Sequence, residues 1–465
     1  MEGADAMTDT KNKGGGWRSK MMWNLPLFRR LAMRKLCLCL LSAGVIGSWL
    51  FAPFSEGAEF GRIRLGKLLI IPEASYGTHY SGNITFDEDD EESDWLHRFG
   101  LGVRAEYGDT NPAFHTKVGK FGVSKNRIIA GYDFDYVLYT DNDHFNYAEH
   151  NPYASVTYRA PVGFYVKADE SFVKTADLYG VDEFGDPEGE NVDRWTNEAG
   201  IELGYIHKQK HTIRTTYVNY LQRFDDNEYQ WKDRIDHRFG VALGSQITPK
   251  LSVFGEYRYT MVEYDQQNDG FVVNDRFGDW NSGNSQDYDL HEYFAGVAFD
   301  PTRKLRGEVK LGYGEREFEN HADRFGDEYN DDHTWVAETA LFYTPRSTTN
   351  LFLVANRGFK GSPDQEAASY IDTTFGLGAS QKLGRRFTID GDFYWSFLNY
   401  DEESGDRKYF HVYRAKLGVD YLIFRWWRVG LEYAYTQKVA NESEYDDEEY
   451  EVNDFGLNTH IVWNF

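Results

Sequence analysis

Cysteine and proline are scarce: the 465 residues include two cysteines, Cys37 and Cys39, and 11 prolines. Both cysteines fall in one apolar run near the N-terminus, so the rest of the chain has no disulfide, thiol chemistry or thiolate metal site. Past Phe54 no apolar run is long enough for a membrane helix, and a mean hydropathy of −0.63 excludes a polytopic helical membrane protein. Basic residues are outnumbered, with 50 Lys and Arg against 75 Asp and Glu and a net charge of −25. A chain this acidic repels polyanions, so nucleic acid is not a partner. Catalytic signatures are thin as well. There is no GxSxG elbow and no HExxH, the 13 histidines are scattered, and Ser93 with His97 is the nearest approach to a lipase-like pair. The stretch YDQQNDG fails as a calcium loop, because Gln267 and Arg276 stand where oxygen ligands belong. The chain is expected not to be an enzyme and to need no resident cofactor.

What is abundant points to strands. Gly 44, Tyr 33 and Phe 33 favour pleated strands and tight turns over helices. The one apolar run, Leu36 to Phe54, follows Arg29, Arg30, Arg34 and Lys35 and precedes Ser55, Gly57 and Ala58. That order predicts a secretory signal peptide cleaved near Gly57 or Ala58, with a signal anchor as the rival. Residues 1–58 are then an N-terminal extension plus signal, and 59–465 form a single domain. The first part carries a net +4, which leaves −29 on the remainder.

Within that domain, apolar and polar residues alternate at period 2 in run after run. Gly240 to Tyr264, GVALGSQITPKLSVFGEYRYTMVEY, is two such runs about a turn at Thr248-Pro249-Lys250. Similar tight, basic turns are predicted at Lys208-Gln209-Lys210, Pro301-Thr302-Arg303, Pro345-Arg346-Ser347, Leu383-Gly384-Arg385 and Phe424-Arg425-Trp426. Between them lie long acidic stretches such as TFDEDDEESD and ANESEYDDEEYE. Short turns alternating with long loops are the plan of an all-β transmembrane antiparallel barrel of about 18 strands, with short periplasmic turns and long acidic external loops. Predicted lipid-facing positions include Trp95, Phe99, Leu101 and Val103 on one strand and Phe387, Ile389, Phe393 and Trp395 on another. A soluble two-sheet protein is the alternative, but its loops need not alternate in length.

The opposite faces carry both signs of charge. Arg104 with Glu106, Glu256 with Arg258, Arg306 with Glu308, Asp390 with Asp392, and Arg414 are predicted to line the pore, because such charges are costly in hydrocarbon. They either guide solute or pair across strands to brace the wall. Three loops repeat one phrase, with Asp182 and Asp186, Asp275 and Asp279, and Asp323 and Asp327 each flanking a Phe-Gly step. These carboxylates either take Ca²⁺ or sugar hydroxyls at the mouth, or serve only as turn residues in solvated loops. The chain ends on alternating Ile461, Trp463 and Phe465, similar to the sorting signal that the outer-membrane assembly machinery reads.

The first hairpin adds a resemblance. Pro72, Tyr80, Asn83-Ile84, an acidic loop and Ser93-Asp94-Trp95, followed by YDFDYVLYTDNDHFNYAEH, resemble the β-barrel porin family found with exopolysaccharide biosynthesis operons. The resemblance is specific over Pro72 to His150; Tyr80-Ser81-Gly82-Asn83 departs from the family's Tyr-Asp-Ser-Asn, and Gly108 to Lys125 is long for a periplasmic turn. It implies a barrel in the outer membrane of a Gram-negative bacterium that serves exopolysaccharide export or assembly. Its partners would be outer-membrane lipid, the polysaccharide and periplasmic export proteins, and no catalytic residues carry over. A general diffusion porin for small solutes or cations and a plugged surface scaffold stand as alternatives.

Overall fold

The computed structural model describes residues 63–86, 91–108, 126–177, 191–208, 210–225, 229–264, 287–299, 304–318, 332–361, 369–401, 407–424, 426–441 and 449–462. Their strands are β1 (Ile63–Leu65), β2 (Leu68–Ser81), β3 (Asp94–Gly108), β4 (Arg127–Tyr139), β5 (Tyr147–Arg159), β6 (Phe164–Thr175), β7 (Arg194–His207), β8 (His211–Phe224), β9 (Arg234–Thr248) and β10 (Leu251–Tyr264). The series continues with β11 (Tyr288–Phe299), β12 (Leu305–Phe318), β13 (Asp332–Arg346), β14 (Thr349–Gly361), β15 (Ser369–Leu383), β16 (Phe387–Asp401), β17 (Arg407–Phe424), β18 (Trp427–Ala440) and β19 (Tyr450–Val462).

Each strand from β2 to β19 pairs antiparallel with its sequence neighbours, and β19 returns to β2 with Ile461 opposite Ala74, Leu457 opposite Thr78 and Phe455 opposite Tyr80. The result is a closed 18-strand barrel with no free edge in its wall. The short β1 pairs with the start of β2, Ile63 opposite Ile70, and so prolongs the β19 side of the seam past Val462. Sequence reading does not separate β1 from the run that follows it.

Tight connections gather at one end. Thr248 ends β9 and Leu251 begins β10, while Lys208 (φ 51°) and Gly384 (φ 66°) take the left-handed backbone that such short turns require. Pro345 and Arg346 lie inside β13 rather than in a turn, because Arg346 still pairs with Thr349 and the reversal moves to 347–348. Residues 301–303 and 109–125 fall outside the described set.

Alternation decides which side chains face in and which face out. Trp95, Leu101, Val103, Phe387, Phe393, Leu431, Phe455 and Leu457 are exposed on the outer surface. No central apolar core exists among the described residues. Instead, the inner wall near the long-loop end carries separate apolar clusters, including Tyr370, Leu398, Tyr400, Phe410 and Val412 on β15–β17. A second one, Ile84, Val137, Tyr139, Phe145 and Tyr147, ties the loops after β2 and β4 to the wall.

Candidate functional site: the charged inner wall

Two charged fields occupy the inner wall below the apolar clusters. The first spans β8 to β13. Register sets Arg258 on β10 opposite Glu292 on β11, and Lys310 on β12 opposite Glu338 on β13, so complementary charges meet directly across strands. Arg258 is the hub, with Nη2 at 3.0 Å from Glu256 and Nη1 at 3.1 Å from Glu292 and 2.9 Å from Glu338. Lys310 binds Glu338 and lies 3.9 Å from Glu308. Arg214 on β8 reaches Glu256 at 2.8 Å, and it can span two strands because the residue opposite both is the small Ala242. Arg258 and Lys310 also lie 5.0 and 5.3 Å from the Phe294 ring centroid, which screens one side of each cation from water. Three cations thus serve four carboxylates.

The second field, on β16 to β19, is more acidic. Lys416 bonds Glu432, and Arg428 bonds Asp420 at 3.2 Å. Asp390 and Asp392, two residues apart on β16, form no hydrogen bond or ion pair with the described residues and stay partly exposed on the inner face. Asp454 on β19 lies close enough to interact electrostatically with Glu432 and Lys416. Five carboxylates here face three cations, Arg414, Lys416 and Arg428, and Lys416 acts electrostatically on Asp390 and Asp392 as well. An excess of charge of one sign along a wetted wall raises the local concentration of counter-ions.

Near the tight-turn end, Glu106 forms ion pairs with Arg104, at 3.1 Å from its Nε, and with Arg127, at 2.7 Å from its Nη2. Arg306 lies over the Phe342 ring at 5.4 Å, and Arg414 sits between Tyr394 and Thr436 in register. Aromatic rings lie flat along the same wall because the neighbouring strand offers glycine. A Cβ on Gly204 would sit 2.2 Å from the Tyr165 ring, and one on Gly376 2.3 Å from the Tyr394 ring. The Tyr165 hydroxyl, held in that position, donates to Glu202 at 2.7 Å.

Arg104, Glu106, Glu256, Arg258, Arg306, Glu308, Asp390, Asp392 and Arg414 therefore all project into the barrel. They do not form one cluster: Glu256, Arg258 and Glu308 come together, Asp390 and Asp392 lie apart from them on β16, and Arg104 with Glu106 is separate. Sequence reading missed Arg214, Glu292, Glu338 and Glu432 as members. Each is a lone charge at a polar position of an alternating run, and only the register reveals its partner. Asp182, Asp186, Asp275, Asp279, Asp323 and Asp327 lie outside the described residues, as do Trp463 and Phe465, whereas Ile461 pairs with Trp427 and Ala74. Among the described residues no cluster of His, Cys, Asp or Glu has the arrangement of a metal site. His97 does not engage Ser93; its Nδ1 bonds the Tyr76 hydroxyl at 2.8 Å.

The family comparison also finds a β-barrel. The family model described as "Putative beta-barrel porin 2" matches residues 206–461, which take in β8 to β18 and nearly all of β19. The chain belongs to this family. The match lies C-terminal to Pro72–His150, where the sequence resemblance is carried, so two separate parts of this porin point the same way. It is an outer-membrane β-barrel, porin-like protein. No curated protein matches the chain.

Among solved structures, the porin is similar in fold to OpdK of Pseudomonas aeruginosa, at 7% identity and a TM-score of 0.40, covering 85% of this chain and 99% of that one. It is also similar to a loop-deletion mutant of OmpT of Vibrio cholerae (12%, TM-score 0.33, 86% and 100% covered). A third is the alcaligin receptor FauA of Bordetella pertussis (10%, TM-score 0.36, 84% and 75% covered). Likeness at this level carries no functional information.

Proposed function

We propose that this porin is a passive aqueous pore through which a neutral or cationic exopolysaccharide is exported or assembled. The observation that carries the reading is the pair Asp390 and Asp392, carboxylates without a hydrogen bond or ion pair among the described residues, on an inner face that also holds Asp420, Glu432 and Asp454. Such a wall attracts cations and opposes an anionic polymer. Flat aromatic rings beside polar groups, as at Tyr153 over Gly131, offer the chemistry that sugar faces pack against. The resemblance of the first hairpin to porins of exopolysaccharide operons supports a polymer over a small nutrient. The same acidic stripe favours, as a second reading, a diffusion porin for small cations.

Periplasmic export proteins would deliver the polymer to the tight-turn end, and the assembly machinery would read Ile461, Trp463 and Phe465. Asp182, Asp186, Asp275, Asp279, Asp323 and Asp327 would meet Ca²⁺ or sugar hydroxyls at the mouth, an idea lost if Asp279→Asn with Asp327→Asn leaves Ca²⁺ affinity unchanged. Conductance of the refolded chain in a planar bilayer tests the main reading. Cation-selective steps that neutral oligosaccharides partly block support export. Steps that oligosaccharides leave untouched favour the diffusion porin, and silence from a folded barrel favours a plugged scaffold.

A further inference from the structure

Six of the 13 histidines stand on the lipid-facing side of the barrel near the long-loop end: His97, His150, His237, His291, His333 and His411. Four of them come three residues after their strands start at Asp94, Tyr147, Arg234 and Tyr288. Each faces, diagonally, a ring on the preceding strand: Tyr76, Tyr132, Tyr217, Tyr257, Tyr313 and Trp395. The six centroid separations run only from 6.0 to 6.2 Å. This is one contact repeated around the barrel.

Register explains the repeat. Tyr76 is directly opposite Phe99, Tyr217 opposite Phe239, Tyr257 opposite Tyr293, Tyr313 opposite Trp335 and Trp395 opposite Tyr413, always two residues past the histidine. Pro152 fills that position opposite Tyr132. On β19 an asparagine takes the histidine's place, with the Tyr433 hydroxyl donating to Asn453 Oδ1 at 2.8 Å.

Five of the six imidazoles are held at Nδ1. Hydroxyls of Tyr76, Tyr132, Tyr217 and Tyr257 lie at 2.8, 2.7, 2.9 and 2.9 Å, and Trp395 Nε1 donates to His411 at 3.2 Å. An indole N–H can only donate, so Nδ1 of His411 accepts and the neutral ring carries its proton on Nε2. A tyrosine hydroxyl that donates in the same direction leaves the proton of its imidazole on Nε2 as well. Each of these five pairs then presents one N–H donor, Nε2, away from its ring partner.

Height decides what that donor meets. A strand of about 14 residues at about 3.4 Å each, tilted about 40°, stands some 35 Å tall, against an apolar band of about 25 Å. The third or fourth residue from a strand end therefore lies at the boundary of the hydrocarbon. Below the belt the exposed surface is aliphatic, as at Leu101, Val103, Val241, Leu243 and Leu311. The opposite boundary is built differently, from Tyr107, Tyr158, Phe164, Tyr205, Phe387 and Phe424, with His207 and His211 as the histidines there.

We propose that the belt binds the phosphates of anionic lipid headgroups, which carry no choline or other cation to screen them, on the long-loop side of the membrane, each imidazole donating from Nε2 to a phosphate oxygen. A generic aromatic girdle explains the tyrosines but not a histidine at the same diagonal six times on one boundary only. The inference rests on the membrane placement of the barrel and not on its being an open pore.

Quenching of tryptophan fluorescence by brominated lipids tests it, since Trp95, Trp335 and Trp395 flank the belt. The full folded chain is reconstituted into vesicles of brominated phosphatidylglycerol mixed with phosphatidylcholine, and into the converse mixture, in phosphate-free buffer. The expected result is preferential quenching by the anionic lipid, lost when all six histidines become Phe and kept in the control His207→Phe with His211→Phe. If the six-fold variant does not fold, changing His97, His150 and His237 alone is expected to lose about half of the preference. Equal quenching by both lipids, or a preference indifferent to these histidines, overturns the proposal. Abolition of the preference by inorganic phosphate overturns the lipid assignment in favour of a free-anion site.

Discussion

Arg258 Nη1 lies 2.9 Å from Glu338 Oε1, which joins β10 to β13 across the two strands between them. Contacts to sequence neighbours alone would leave the inner side chains of a wide barrel as separate ladders. This contact and the Arg214–Glu256 pair instead lace several strands into one network.

Arg258→Met is therefore expected to be costly. Glu256, Glu292 and Glu338 lose their shared cation, and breaking a buried pair from one side costs about 3–5 kcal/mol. A lower urea midpoint for the refolded barrel checks this. Arg258→Met combined with Glu338→Gln is expected to recover part of the loss, because one orphaned carboxylate is gone.

Asp390→Asn with Asp392→Asn should do the reverse, changing permeation and leaving stability within about 0.5 kcal/mol, since neither carboxylate supports a partner among the described residues. Reversal potentials in a salt gradient are expected to move toward less cation selectivity. No movement would detach the acidic stripe from ion traffic.

Gly204→Val tests the ring-on-glycine packing. Its Cβ falls 2.2 Å from a Tyr165 ring that is 0% exposed and tied to Glu202, so overpacking is expected to cost about 1–3 kcal/mol. Adding Tyr165→Ala should restore folding efficiency in the same urea assay.

Asp94 holds the loop after β4. Its two carboxylate oxygens accept from the backbone N–H groups of Trp95, Thr140, Asp141 and Asn142. Asp94→Ala is expected to speed amide hydrogen exchange at 140–142 while β3–β4 protection persists, with a cost of about 1–3 kcal/mol. Unchanged exchange would mean that the Ile84, Val137 and Phe145 packing holds the loop by itself.

Deleting Phe465 separates assembly from folding. The yield of barrel in the outer membrane is expected to fall severalfold while refolding of the purified chain is unchanged. An unchanged yield would remove the assembly-signal reading.

The barrel itself was legible because strand alternation is local: each residue's face follows from its parity, and turns and loops announce themselves by length and charge. Parity likewise put Arg258 and Asp390 on the inner wall. It could not tell that Arg258 sits at the hub of an ion network while Asp390 forms no hydrogen bond or ion pair among the described residues, since both read as a charge at a polar position. The histidines mislead most. Spread through the sequence they seem unrelated, yet His-x-aromatic at strand starts, as in His237-Arg238-Phe239 and His291-Glu292-Tyr293, was the available signal.

By itself, then, the sequence determined the strands, their faces, the even strand number and the split into tight and long-loop ends, because these depend on neighbours along the chain. Only the tertiary structure decided the register between strands. Register sets Arg214 within reach of Glu256 and brings each belt histidine to its ring, and it depends on pairings between residues far apart in sequence, which no local pattern specifies.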